Sequence, residues 1–239
     1  MEEMGAADGK DELQEKEPPR AMLFELETVA LPGRSVFFDV TKDALAAKEV
    51  KLTPPLFARY CLEAVGDAFP ANILAEYGKS RVSDAKLIEE IDAAAVEKLT
   101  AGSLAPAPAF LEAVRELAER DVRLGALGLY DTKAAEELLE KSGLGEYGVR
   151  VVALHGGIRH AFTLDSWIEG ARALGVGQTL CVAVASTARS STSALAAGMS
   201  CVAVPDTFTD YQDLGGVDYV APDGFDADAA AVVAAILRR

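Results

Sequence analysis

The sequence predicts an α/β protein: a parallel sheet covered by helices, with an all-helical segment inserted after the first strand. From Pro106 onward, helix-patterned segments alternate with short runs rich in Val, Leu and Ala, as in a parallel sheet buried on both faces. A lone apolar run, Ala21 to Phe24, stands far upstream of them. Between the two, residues 36–103 carry helical patterns and no strand candidate. The first strand therefore joins the later sheet.

Residues 1–19 hold seven acids, two lysines, two glycines and almost nothing to bury, which predicts a disordered acidic tail. The run Ala21 to Phe24 is too short for a helix, and Pro18-Pro19 blocks one, so it reads as a buried strand. Helical spacing follows over Ser35 to Lys48. A second helix opens at Thr53-Pro54-Pro55, with Thr53 as its cap and an apolar stripe of Leu56, Tyr60, Ala64 and Val65. A third spans Asp84 to Leu99, with Leu87, Ile88, Ile91, Ala95 and Leu99 on one face.

The alternating series then runs helix Ala109–Arg120, strand Val122–Leu127, helix Lys133–Ser142 and strand Val149–Leu154. It continues with helix Ser166–Leu174, strand Leu180–Val184, helix Thr192–Ala197 and strand Cys201–Val204. Tyr219-Val220 and a helix from Ala227 to Leu237 close the chain. Gly143 and Gly175 fit helix ends. The predicted division is a tail (1–19), an α/β core (20–34 and 104–239) and a helical insert (35–103).

Charge narrows the function. The 239 residues carry 38 acids against 23 bases, a net charge of −15, which argues against nucleic acid or an anionic membrane surface as partner. Three cysteines, Cys61, Cys181 and Cys201, are too scattered for a disulfide framework or a zinc cluster, and the last two fit buried thiols. No apolar stretch is long enough for a membrane span and no signal peptide is visible, so the expected compartment is the cytoplasm.

Chemistry concentrates at the end of the first strand, where Glu25 and Glu27 follow Phe24. In an open α/β sheet, groups just past the carboxyl ends of strands line the ligand crevice. A Glu-x-Glu pair there suits metal binding or attack on a phosphoryl group; it equally suits an acidic strand end facing water. The stretch Ser186, Thr187 and Ser190 to Ser193 suits anion binding at a helix N-terminus, or simple capping of that helix. His155 and His160 are the chain's two histidines.

The layout resembles the haloacid dehalogenase superfamily, in its phosphatase and β-phosphoglucomutase-like branch with a helical cap. Ala21-Met-Leu-Phe-Glu-Leu-Glu-Thr-Val-Ala stands where that family has its hydrophobic-F-D-x-D-G-T-L motif. Leu104-Ala-Pro-Ala-Pro108 resembles the return from cap to core. Ala173-Leu-Gly-Val176, Cys181-Val-Ala-Val184 and Ala194 to Pro205 resemble the fourth-motif region and last core strand.

The resemblance puts Glu25 at the nucleophile position and Glu27 at the acid/base position, each with one methylene more than the family's aspartates. About 1 Å of misplacement can cost on the order of 100-fold in rate. It puts Gly128 where a Ser or Thr hydroxyl meets phosphate, and Arg159 and His160 nearest the third-motif lysine, which arginine does not replace equivalently. The metal-binding acids of the fourth motif fall on Ala185 and Ser186, and no Asp or Glu lies between Glu169 and Asp206. The expected function is thus a family member inactive or strongly impaired as a phosphatase, retained for ligand or protein binding. Its expected ligand-binding residues are Gly128, Arg159, His160, Ser186 and Thr187, for a small anionic or phosphorylated ligand or a protein partner. No cofactor is expected, and Glu25 is the sole metal candidate. The alternative is a Mg²⁺-dependent phosphatase or sugar-phosphate mutase working through the Glu25/Glu27 pair; a third option is hydrolysis with Glu25 or His160 activating water.

Overall fold

The computed structural model describes residues 17–62, 69–77, 84–102, 104–154, 162–222 and 224–238. The expected tail lies outside these except for its last three residues, Glu17 to Pro19. Strand β1 (Ala21–Glu25) is buried throughout and sits between β2 (Arg123–Gly128) and β4 (Cys181–Ala185), parallel to both. With β3 (Arg150–Leu154), β5 (Ser200–Ala203) and β6 (Tyr219–Val220), the six-stranded order is β3-β2-β1-β4-β5-β6. All of its pairings are parallel. The chain builds outward from β1 to β3, then returns to β1's other edge with β4. That reversal is the topological switch point, where α/β sheets open a crevice at the strands' carboxyl ends.

Glu25 is the last residue of β1, not the first beyond it. A single π-type turn, Leu26–Ala30, follows and holds Glu27. Helix α1 (Gly33–Ala46) begins two residues earlier than its apolar spacing suggests. It ends where Glu49 takes a left-handed backbone (φ 61°) and Val50 N–H turns back to the Leu45 carbonyl. Helix α2 (Pro54–Phe57) runs into a second π-type turn, Ala58–Leu62. Thr53 makes no side-chain cap there, contrary to the sequence reading. Pro55, at the second helical position, lacks one of the two N–H groups a cap would accept from. The wider turn also moves the buried stripe, so Phe57, Tyr60 and Cys61 are buried while Leu56 is half-exposed; Ala64 and Val65 lie outside the described residues.

Helices α3 (Phe69–Tyr77) and α4 (Asp84–Ala101) complete the insert, α4 packing on α1 through Leu87, Ile91, Ala95 and Leu99. An aromatic clasp ties insert to core. Phe208, in the loop after β5, meets Phe57 at 5.0 Å and Phe38 at 5.1 Å between ring centroids, and Phe37 packs on Phe57.

The sheet is covered by α5 (Pro108–Glu119), α6 (Thr132–Lys141), α7 (Leu164–Leu174), α8 (Ala188–Ala196) and α9 (Ala227–Ile236). Phe110 of α5 stands edge-on between Phe24 of β1 and Phe225, each at 5.0 Å. Gly125 lets α7 lie close on β2, since a Cβ there would fall 2.7 Å from Leu23 and 3.0 Å from Leu174. Trp167 is wholly buried and serves packing. Helix α8 starts four residues before the expected Thr192, because the Thr187 hydroxyl accepts the Ser190 N–H (3.2 Å) and opens the helix there.

Candidate functional site

Two residues from the switch point meet first. Glu25 ends β1, Ser186 follows β4, and pairing of Phe24 with Val184 brings the two strand ends side by side. Both side chains are buried, and the Ser186 hydroxyl donates to Glu25 Oε2. Thr28, from the π-type turn, donates to the same oxygen, and its Oγ1 lies 3.0 Å from Ser186 Oγ. Glu25 Oε1 is buried with no hydrogen-bond partner. The expectation of an acidic strand end facing water is overturned: Glu25 is 3% exposed and Glu27 0%.

The residue that organises this group is Arg34, in the first turn of α1. Its guanidinium is buried. Nη2 donates to Ser186 Oγ at 2.8 Å, and Nη1 forms an ion pair with Asp206. Asp206 is held ready for it, because its other oxygen, Oδ1, accepts the Phe208 N–H (2.9 Å) and the Thr209 hydroxyl (3.2 Å). One continuous chain of hydrogen bonds thus runs Asp206–Arg34–Ser186–Glu25. A buried guanidinium is costly unless paired and hydrogen-bonded; here each terminal nitrogen has a partner, while Nε is buried without one.

Glu27 is separate. Both its carboxyl oxygens face the backbone N–H of Leu129, at 3.1 and 3.0 Å, just past Gly128 at the end of β2. Burial pushes its pKa up to about 8, backbone hydrogen bonds from Leu129 and its neighbours oppose the rise, and the nearby Glu25 charge adds to it. At pH 7 Glu27 is therefore largely protonated. The N–H that follows Gly128 is spent on this carboxyl and does not face an open crevice.

Of the residues the sequence singled out, Glu25 and Ser186 come together, Gly128 ends the adjacent strand, and Thr187 caps α8. Arg159 and His160 lie outside the described residues. Arg34, Thr28, Asp206 and the Leu129 N–H were missed. A cavity of about 340 Å³ adjoins the network, with Thr28, Arg34 and Asp206 among polar lining groups and Leu31, Val204 and Phe225 among apolar ones.

No protein-family model matches the sequence, and no curated protein matches it. Solved structures do match. CbbY from Rhodobacter sphaeroides, in complex with phosphate, superposes with a TM-score of 0.71 at 15% identity, covering 90% of this chain and 99% of that one. A HAD family hydrolase from Deinococcus radiodurans R1, with bound phosphate and sodium, gives 0.69 at 20% identity, covering 93% and 99%. A β-phosphoglucomutase from Clostridium difficile gives 0.66 at 13% identity, covering 92% and 100%.

The fold is haloacid dehalogenase-like.

A haloacid dehalogenase-like fold implies Mg²⁺ near the end of its first strand, and the donor set here does not suit that ion. Mg²⁺ takes octahedral oxygen ligands at roughly 2.0–2.1 Å. Glu25 Oε2 and the Asp206 carboxylate are already engaged within the chain, and a guanidinium is paired with Asp206 and bonded to Ser186. Gly33 crowds the Glu27 carbonyl oxygen so closely that a Cβ would sit far inside contact distance. Among the described residues, no three His, Cys, Asp or Glu side chains converge on a common point. In addition, no helix of the described residues is long and apolar enough to cross a membrane.

Proposed function

We propose that this chain is a haloacid dehalogenase-like protein silent or strongly impaired as a phosphatase and retained for binding. The observation that carries the reading is the hydrogen-bonded chain Asp206–Arg34–Ser186–Glu25. A carboxylate nucleophile for a phosphoryl group needs a free oxygen in line with the substrate and positive charge receiving the phosphate. Here Glu25 Oε2 accepts two hydroxyls, its other oxygen is buried, and the guanidinium's terminal nitrogens are committed to Ser186 and Asp206. Losing one preorganised electrostatic donor costs about 2.7–4 kcal/mol of transition-state stabilisation, so joint loss takes turnover toward background. The cavity of about 340 Å³ beside Arg34 and Asp206 is of a size for a small molecule with an apolar body and a polar head.

The test is phosphate release from phosphomonoesters with millimolar Mg²⁺, comparing wild type with Glu25→Ala. Both should stand at background. Turnover lost in Glu25→Ala would establish an active glutamate-based enzyme instead. That second reading draws on the unpartnered Glu25 Oε1. For binding, a thermal-shift panel of phosphorylated metabolites reads occupancy without needing turnover.

A further inference from the structure

We propose that the Arg34 guanidinium is a built-in cation, paired with Asp206 and linked to Glu25 through the Ser186 hydroxyl, taking the part a divalent metal would otherwise play, so that these strand ends are neutralised by the chain itself. The inference goes beyond the silent-phosphatase reading, since it concerns what balances the charge and not what reacts.

Four observations meet on it. Arg34 is 3% exposed in a chain of net charge −15, so it is held inside by local partners. Its two terminal nitrogens split between the ends of two adjacent strands: Asp206 beyond β5, and Ser186 beyond β4, which links across the switch point to Glu25 of β1. The turn that delivers it is fitted tightly, because Gly33 abuts the Glu27 carbonyl oxygen and leaves no room for a side chain. Finally, Asp206 is pre-set by Phe208 and Thr209, so the ion pair lies in a fixed frame. A guanidinium and a divalent ion repel each other and would compete for the Asp206 and Ser186 oxygens. Their occupancy of this place is therefore mutually exclusive. Unlike a metal, the guanidinium cannot be removed by chelation and stays charged over the whole accessible pH range.

Deleting the guanidinium should turn the site into a metal site. In Arg34→Ala, the Asp206 carboxylate and the Ser186 hydroxyl lose their cation, and with Glu25 and Thr28, which Ser186 joins to them, they leave an all-oxygen set that suits a hard cation. Mn²⁺ is the probe, read by the loss of its free-ion paramagnetic resonance signal and by thermal unfolding. Wild type and Arg34→Lys should show no saturable Mn²⁺ site that depends on Glu25, and no rise in melting temperature. Arg34→Ala should acquire a saturable site and melt higher as Mn²⁺ is added, and the double variant Arg34→Ala/Glu25→Gln should lose both gains. If Arg34→Ala does not fold alone, refolding in millimolar Mn²⁺ should recover it. Absence of both gain and recovery overturns the proposal. So does a wild-type Mn²⁺ site that vanishes in Glu25→Gln, whatever the Arg34 variants do. Metal-independent phosphate release by wild type would sink the silent reading and leave the internal cation standing.

Discussion

Ser186 donates its hydroxyl hydrogen to the carboxylate of Glu25, a partner 161 residues away in sequence, while accepting a hydrogen bond from Arg34. One hydroxyl thereby joins the buried acid to the buried base. Apolar replacement strands both: Glu25 Oε2 keeps only Thr28, and Arg34 Nη2 loses its acceptor. Ser186→Ala should therefore destabilise the protein by about 1–3 kcal/mol, the cost of an unsatisfied buried polar group. Urea unfolding measures it; a midpoint equal to wild type would show that the network does not bear on stability.

Glu27 should make stability fall as pH rises. Its folded pKa of about 8 lies above the ordinary value of 4.5, so between these values the folded state holds a proton that the unfolded state has released. The stabilisation is full below about 4.5 and is lost as pH climbs through 8. At 1.36 kcal/mol per pKa unit, the ceiling on that loss is roughly 5 kcal/mol. Glu27→Gln imitates the protonated form and should flatten this component, gaining on wild type from pH 6 to pH 9 in denaturant titrations. Parallel pH profiles for the two proteins would contradict the assignment.

Gly33→Ala should destabilise although alanine favours helices. The new methyl collides with the Glu27 backbone carbonyl, which cannot swing aside as a flexible side chain would. Overpacking of this kind costs about 1–3 kcal/mol. Calorimetry should show a lower melting temperature; an unchanged or higher one would mean the turn yields freely.

The thiols should be inert in the folded protein. Cys61, Cys181 and Cys201 are all buried, and burial pushes the thiols of Cys181 and Cys201 up to about 12. Thiolate is the reacting form. Ellman's reagent at pH 8 should find essentially no fast-reacting thiol in native protein and all three after guanidinium unfolding. Prompt reaction of the native form would place one of them at the surface.

The sheet was readable because its signals are local: runs such as Cys181-Val-Ala-Val184 fit a strand buried on both faces wherever they occur. Helix ends were read less well. The sequence places the start of α8 at Thr192 because the preceding hydroxyls fit a loop equally; whether Thr187 or a later residue caps depends on where β4 lets go of the chain. The acid pair Glu25 and Glu27 was visible, but its burial was not, since charge beside a short strand ordinarily means water. Arg34 was the real omission. Its meaning depends on Asp206, at a sequence separation of 172, and nothing in the local pattern around either residue points to the other.

The central place of β1 in the order β3-β2-β1-β4-β5-β6 has a consequence for synthesis. β1 leaves the ribosome well before both of its neighbours, which begin only at Arg123 and Cys181. Until they emerge, an apolar strand with both edges unpaired waits in the nascent chain, the condition under which chains associate wrongly. The helices between Gly33 and Ala101 draw largely on contacts among themselves and are the first part able to collapse. Nascent-chain aggregation should therefore peak for lengths that end short of β2 and fall once β4 has cleared the exit tunnel.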